Sequence, residues 1–152
     1  MKHRWAALGM VLVLSAFMPG IASAQGEQSP GRGSGGLKQN YPNPFNPQTK
    51  IPFDIGDPPN CSEPGKQHKV SLRIYNLLAQ LVAIPVLQGG SGGVSGGQPL
   101  ENVQLSCGSY TAYWDGTYRN STKKVASGVY LYRLEIDGRV APGNTRKMIV
   151  MK

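Results

Sequence analysis

The stretch KQNYPNPFNP, residues 38–47, sets the architecture expected of this chain. Its three prolines fix φ at about −65°, remove three backbone donors and push each preceding residue out of the helical region. No helix can form across them. Tyr41 and Phe45 supply two apolar anchors in an otherwise polar segment, which predicts a stiff, extended lead-in that docks onto whatever follows. A proline-rich linker with incidental aromatic residues is the alternative.

Beyond residue 47 the apolar residues alternate with polar ones, which is the period of a half-buried strand. Turn signals such as Asp115-Gly116 separate the alternating runs, and no helical period follows. Pro52 indicates a sheet edge, and Pro85 an edge or a bulge. The predicted strands cover residues 51–55, 70–75, 80–87, 99–105, 110–115, 129–137 and 145–151. This pattern predicts an all-β domain, an immunoglobulin-like β-sandwich of about seven antiparallel strands.

The start of the chain has the pattern of a secretory signal. A short basic start precedes an apolar run too short to span a bilayer, and Ala22-Ser23-Ala24 supplies the small residues of a cleavage site. We therefore predict a signal helix over residues 1–24 that is removed after delivery to the periplasm. Residues 25–36, rich in Gly and Ser, are predicted to be a flexible tether. Residues 37–152 are predicted to be the folded domain.

The exported chain is basic. Two of the 16 Lys and Arg residues precede residue 25, so residues 25–152 carry a formal charge of +6. These side chains are scattered through strands and turns and do not interleave with aromatic residues in the manner of RNA-binding modules, so no nucleic-acid partner is predicted. The charge excess predicts at most weak contact with an acidic polysaccharide or lipid at the cell surface.

Cys61 and Cys107 are the two cysteines, and an even count in an oxidising compartment predicts one disulfide. Two strands separate the loops that carry them, so an antiparallel order places both loops at the same end of the sandwich. The acidic residues, such as Asp57 and Asp137, lie mostly in turns and at strand ends, and His68 stands alone in a predicted loop, so neither a nucleophile with its base nor a pair of catalytic carboxylates is indicated. No enzyme activity, cofactor or metal site is predicted.

Five segments follow one another in an order that is specific to a known family. They are LKQNYPNPFNPQTKIPFDI (37–55), VSLRIYNLLAQLV (70–82), YTAYWDG (110–116), VASGVYLYRLEIDG (125–138) and TRKMIVMK (145–152). Together they resemble the C-terminal sorting domain of proteins exported by the type IX (Por) secretion system. The same pattern is shared with the Ig-like domain of the flagellar hook-capping protein family.

The resemblance implies a cleavable address on a monomeric domain. The Sec system delivers the precursor to the periplasm, an outer-membrane type IX translocon recognises the folded domain, and a surface protease removes it. Cargo is then anchored at the cell surface or released outside. By position, the recognition candidates are Asn40, Tyr41, Pro42, Asn43, Pro44, Phe45, Asn46, Pro47, Gly128, Val129, Tyr130, Lys147, Met148 and Lys152. Core packing is the competing role for Tyr130 and Met148.

Some features depart from the family pattern. Ala79 stands where the family usually has a turn glycine, and Ser121 and Thr122 stand where it has a hairpin glycine. Only the predicted tether separates the signal from the domain, which leaves little room for cargo. A standalone secreted Ig-like structural or adhesive module is therefore the alternative, and a hook-capping-like assembly module is a third.

Overall fold

The computed structural model describes residues 35–89, 95–119 and 121–152; the predicted signal and most of the predicted tether lie outside the described residues. Within these ranges the chain forms nine strands and no helix. No helix in them is therefore long and apolar enough to cross a membrane. The strands are β1 (Gly35–Leu37), β2 (Thr49–Ile55), β3 (Gln67–Tyr75), β4 (Leu81–Ala83), β5 (Val86–Leu87), β6 (Val103–Ser106), β7 (Gly108–Trp114), β8 (Gly128–Ile136) and β9 (Thr145–Val150). Strand β1 begins inside the segment predicted as tether.

The strands pair into two antiparallel sheets. The first has the order β1-β2-β7-β5, and the second has the order β4-β3-β8-β9, with β6 also pairing with β3. The all-β class with antiparallel sheets is confirmed. The structure has nine strands rather than about seven because β1 is added and because the run predicted as one strand over 80–87 divides. Its first half, β4, pairs with β3, and its second half, β5, pairs with β7 on the other sheet, with Pro85 between them.

The two sheets face each other across one hydrophobic core. Side chains alternate along each strand, so Ile51, Phe53 and Ile55 of β2 all point inward and are completely buried. Across the core, the Trp114 ring of β7 meets the Tyr130 ring of β8 edge-on, with 6.0 Å between the ring centroids. The arrangement is consistent with a β-sandwich.

The prediction that Pro52 marks a sheet edge is wrong, because β2 lies between β1 and β7. The Pro52 carbonyl accepts a hydrogen bond from the Lys38 N–H at 3.0 Å, on the side of the strand away from β7. In an antiparallel strand the N–H and C=O of one residue face the same neighbour. The position where Pro52 lacks an N–H therefore faces the lead-in, so no hydrogen bond between β2 and β7 is lost.

One end of the sandwich, here called the disulfide end, joins the loops after β2 and β6. Cys61 and Cys107 are bonded there, with an S–S distance of 2.05 Å. Gly56 adopts φ +72°, and a Cβ at this position would lie 3.1 Å from the Cys107 Sγ. Glycine therefore lets the chain turn directly beneath the bridge.

Candidate functional site

The lead-in, residues 38–47, lies along the free edge of β9. The Phe45 N–H donates to the Ile149 carbonyl at 3.0 Å, and the Met151 N–H donates to the Phe45 carbonyl at 2.9 Å. The Asn43 side-chain Oδ1 accepts the Ile149 N–H at 2.9 Å. The lead-in thus docks onto the domain as predicted, and it satisfies backbone groups that an edge strand would otherwise expose.

Phe45 anchors the lead-in to the core. Its side chain is 2% exposed, and its ring meets Trp114 edge-on at 5.5 Å between centroids. Because Trp114 also contacts Tyr130, the three rings connect the lead-in to both sheets. Gly116 completes this contact: a Cβ there would lie 2.5 Å from the Pro47 carbonyl oxygen, so a side chain would push the lead-in away.

Tyr41 is not a second anchor, contrary to the sequence prediction. Its backbone pairs with Lys50 at 2.9 Å in both directions, but its ring is 52% exposed. The pairing holds Tyr41 at the surface because its strand neighbour Lys50 also points outward, while the inward position is taken by Asn40.

Asn40 joins the lead-in to the second sheet from within. It is 2% exposed; its backbone N–H donates to the Tyr132 hydroxyl at 3.0 Å, and that hydroxyl donates to the Lys38 carbonyl at 3.0 Å. The Asn40 side-chain amide donates to Thr49 and to the Pro42 carbonyl. Burial raises the pKa of Tyr132, so this phenol remains protonated and able to donate over the whole neutral range.

The strands β8 and β9 contribute the remaining candidates in register. Gly128 pairs with Val150, Val129 with Ile149, and Tyr130 with Met148. Tyr130 and Met148 point into the core, where they are 9% and 0% exposed. Both side chains therefore pack the interior. At the chain end, the Lys152 N–H donates to the Ser127 hydroxyl at 3.1 Å.

Three segments far apart in the sequence therefore meet on one edge of the second sheet. Asn43 and Ile149, which are hydrogen-bonded, are separated by 106 residues. The candidates with exposed side chains form what we call the lead-in surface: Tyr41, Pro42, Asn43, Pro44, Asn46, Pro47, Val129, Lys147 and Lys152. Asn40 and Phe45 lie beneath it and hold it in place.

Two apolar residues of the terminal segment 147–152, which the resemblance marks as a recognition element, also belong to this region. Ile149 is 37% exposed beside Val129, and Met151 is 53% exposed just beyond the end of β9. The alternation in TRKMIVMK contains the signal, since Met148 and Val150 are the inward positions and Ile149 and Met151 must then point outward. Apolar side chains on the outward face of a strand commonly mark a contact surface.

Other chemistry lies at the disulfide end. His68 lies in β3 and not in a loop as predicted, because the strand begins at Gln67 and pairs there with β6. His68 is buried, and its Nδ1 lies 2.7 Å from the Asp137 carboxylate, which also accepts the Lys69 N–H at 2.9 Å. The hydrogen bond with His68, together with that from Lys69, lowers the pKa of Asp137. In the part of the chain that the structure describes, no group of three or more His, Cys, Asp or Glu side chains is arranged to hold a metal ion.

No protein-family model matches the chain, and no curated protein matches it. Among solved structures, the chain is similar to Pseudomonas fluorescens alkylpurine DNA glycosylase AlkC bound to DNA containing an abasic site analog, at 10% identity and a TM-score of 0.42. The likeness covers 78% of this chain and 31% of the glycosylase chain.

This neighbour contradicts two predictions. It is an enzyme and it is bound to DNA, whereas the sequence predicted no catalysis and no nucleic-acid partner. Neither prediction is retained. The TM-score of 0.42 carries no argument about activity, so no glycosylase or DNA-binding role is assigned to this chain.

Proposed function

We propose that residues 37–152 form an Ig-like sorting domain that directs export across the outer membrane by the type IX system, followed by anchoring at the cell surface or release. The observation that carries the proposal is the lead-in surface. Its residues come from three of the five segments that resemble the family. Segment 37–55 is in the N-terminal part of the domain sequence, and segments 125–138 and 145–152 are in the C-terminal part.

An address of this kind exists only when the domain is folded. The lead-in contacts β9 through backbone bonds at Phe45 and through the Asn43 side chain, and these contacts require both sheets to be in place. In an unfolded chain the two segments are far apart. A receptor that reads the lead-in surface would therefore select folded domains, which suits a sorting step that follows folding in the periplasm.

The finer description of the fold as Ig-like is part of the proposal. It is supported by two facing antiparallel sheets and by a chain that changes sheet at Pro85, between β4 and β5. The Cys61–Cys107 bond crosslinks two loops at the opposite end of the sandwich, so the lead-in surface belongs to a domain that a disulfide stabilises.

A secreted Ig-like structural or adhesive module is the second candidate. Exposed apolar side chains at the turn between β3 and β4 favour it, since Leu77 and Leu78 are 68% and 79% exposed. Such side chains commonly mark a contact with another surface.

A reporter inserted between Ala24 and Gln25 of the full chain tests the proposal. We expect the reporter outside the outer membrane in a type IX-competent bacterium, and in the periplasm of an otherwise identical strain that lacks the system. Tyr41→Ser/Lys147→Gln should hold the reporter in the periplasm, because both side chains are exposed on the lead-in surface.

The matched control changes an exposed apolar and an exposed basic residue at the disulfide end, Val140→Ser/Lys66→Gln. Export of the control should equal that of the parent, and the melting temperatures of both variants should equal the parent value. A folded parent whose reporter stays in the periplasm would refute the proposal, as would equal export in the strain without the system.

A further inference from the structure

Two leucines project from the turn between β3 and β4. Leu77 and Leu78 are 68% and 79% exposed, and among the described residues they are the most exposed large apolar side chains. A turn at a sheet end is normally built from small or polar residues. The two side chains contribute nothing to the core, so their exposure calls for another explanation.

The turn is held rigidly, so the leucines cannot simply fold inward. The Asn76 side-chain oxygen accepts the N–H of Leu78 at 3.0 Å and that of Gln80 at 2.9 Å. The Asn76 N–H also donates to the Gln80 carbonyl at 3.0 Å, and Ala79 adopts φ +58° to close the loop. The backbone therefore presents both leucines as a fixed apolar tip.

A basic hairpin lies beside this tip. The Arg119 N–H donates to the Val82 carbonyl of β4 at 2.8 Å, which attaches the first arm of the hairpin, residues 117–119, to the strand that follows the turn. A groove of about 260 Å³ separates the two elements, and its lining includes Asn76, Tyr118, Lys123 and Lys124. The tip and the lysines are thus on the same end of the sandwich.

Positive charge dominates this end. The segments 76–80, 115–119, 121–128 and 151–152 contain four basic side chains and one acidic side chain. The basic ones are Arg119, Lys123, Lys124 and Lys152, and the acidic one is Asp115. Asp115 lies 3.9 Å from Lys124, and in these described segments the basic side chains outnumber the acidic ones by three.

We propose that this end of the sandwich docks on an anionic lipid surface. The leucine tip enters the boundary between headgroups and acyl chains, and Lys123 and Lys124 contact the anionic headgroups. Tyr118, 40% exposed on the rim of the groove, has the amphipathic ring that favours the same boundary.

The shape of the surface favours lipid over a protein partner. The leucines form a convex tip, and a bilayer can deform around such a tip, whereas a protein would need a matching cavity. Apolar side chains flanked by lysines are the pattern by which peripheral proteins bind anionic membranes. This inference goes beyond the proposed function and does not depend on it.

Vesicle co-sedimentation of the purified protein tests the proposal. The parent should bind vesicles of phosphatidylcholine containing phosphatidylglycerol, and it should bind pure phosphatidylcholine at least tenfold more weakly. Leu77→Ser/Leu78→Ser should reduce the partition coefficient on the anionic vesicles about tenfold, because it removes the inserted apolar area. Lys123→Gln/Lys124→Gln should reduce it about 25-fold, since each of the two lysines near an anionic surface contributes about fivefold.

Matched controls remove the same chemistry from the disulfide end. Val140→Ser takes away an exposed apolar side chain, and Lys66→Gln/Lys69→Gln takes away two exposed charges. Both should bind as the parent does. The proposal is overturned if the parent fails to bind anionic vesicles or if the leucine variant binds them as the parent does. It is also overturned if a control variant loses as much vesicle binding as the leucine or the lysine variant.

Two further measurements separate other partners. If the parent binds duplex DNA, and the lysine variant loses that binding while the leucine variant keeps both DNA and vesicle binding, the surface is a nucleic-acid contact and the lipid proposal fails. If light scattering finds a dimer that dissociates in the leucine variant, and vesicle binding is absent, the tip is an interface between copies and the proposal fails.

Discussion

Replacing Phe45 with alanine removes the aromatic anchor that holds the lead-in against the sandwich. The Phe45 ring is 2% exposed and lies edge-on to Trp114 at 5.5 Å. Phe→Ala in a core costs about 3–5 kcal/mol through lost burial and the cavity left behind. The upper part of this range is expected if the lead-in stays docked, and the lower part if it detaches and the cavity opens to water.

Urea unfolding measures the free energy, and amide hydrogen exchange at Met151 shows whether the lead-in has detached. Met151 donates to the Phe45 carbonyl, so its protection should fall first. Tyr41→Ala is the matched control from the same segment, and because its ring is exposed it should change stability by less than about 0.5 kcal/mol. If Phe45→Ala costs under about 1 kcal/mol, or if Tyr41→Ala costs as much, the anchor assignment is wrong.

The remaining predictions concern the turn, the His–Asp pair and the disulfide. Ala79→Gly should stabilise the fold by about 1 kcal/mol in urea unfolding, because Ala79 adopts φ +58° and glycine bears no Cβ penalty there. The pKa of Asp137 is lowered in the folded state, first by the hydrogen bond with His68. The stability that Asp137 contributes is therefore complete above the unfolded carboxyl pKa of about 3.9. This stability is lost as the pH falls through the folded pKa. Melting temperature against pH should therefore fall less steeply below pH ~4 in Asp137→Asn than in the parent; an unchanged slope would contradict the assignment. Reducing the Cys61–Cys107 bond should lower the free energy of unfolding by about 4 kcal/mol, because it closes a loop across 46 residues, and an unchanged urea midpoint after reduction would argue against that contribution.

The two surfaces proposed here share one pole of the sandwich. The lead-in surface and the leucine tip both lie away from the disulfide end, and the Lys152 backbone is bonded to Ser127 between them. They differ in chemistry, because the first is rich in proline and asparagine while the second combines leucine with lysine. The export reporter measures the role of the lead-in surface, and vesicle co-sedimentation measures that of the leucine tip.

The strands could be predicted because their signal is local. Alternation in β8 places Tyr130, Tyr132, Leu134 and Ile136 on one face, and all four are buried in the structure. Division of the run 80–87 could not be predicted, since alternation does not say which sheet a strand joins. Strand β4, before Pro85, pairs with β3, and strand β5, after it, pairs with β7. Both pairings depend on partners that are distant in the sequence.

The candidate site divides in the same way. Proline stereochemistry predicts that residues 38–47 are extended. An apolar ring in a polar segment predicts that the segment docks by an aromatic side chain. Which ring is buried depends on the depth available next to Trp114, and the local pattern does not distinguish Phe45 from Tyr41. The packed fold alone brings Asn43 to Ile149 across 106 residues, because that hydrogen bond requires β9 to be an open edge beside the lead-in. Local sequence thus determines backbone conformation and the inward or outward direction of side chains, while long-range packing determines which of those side chains share a surface.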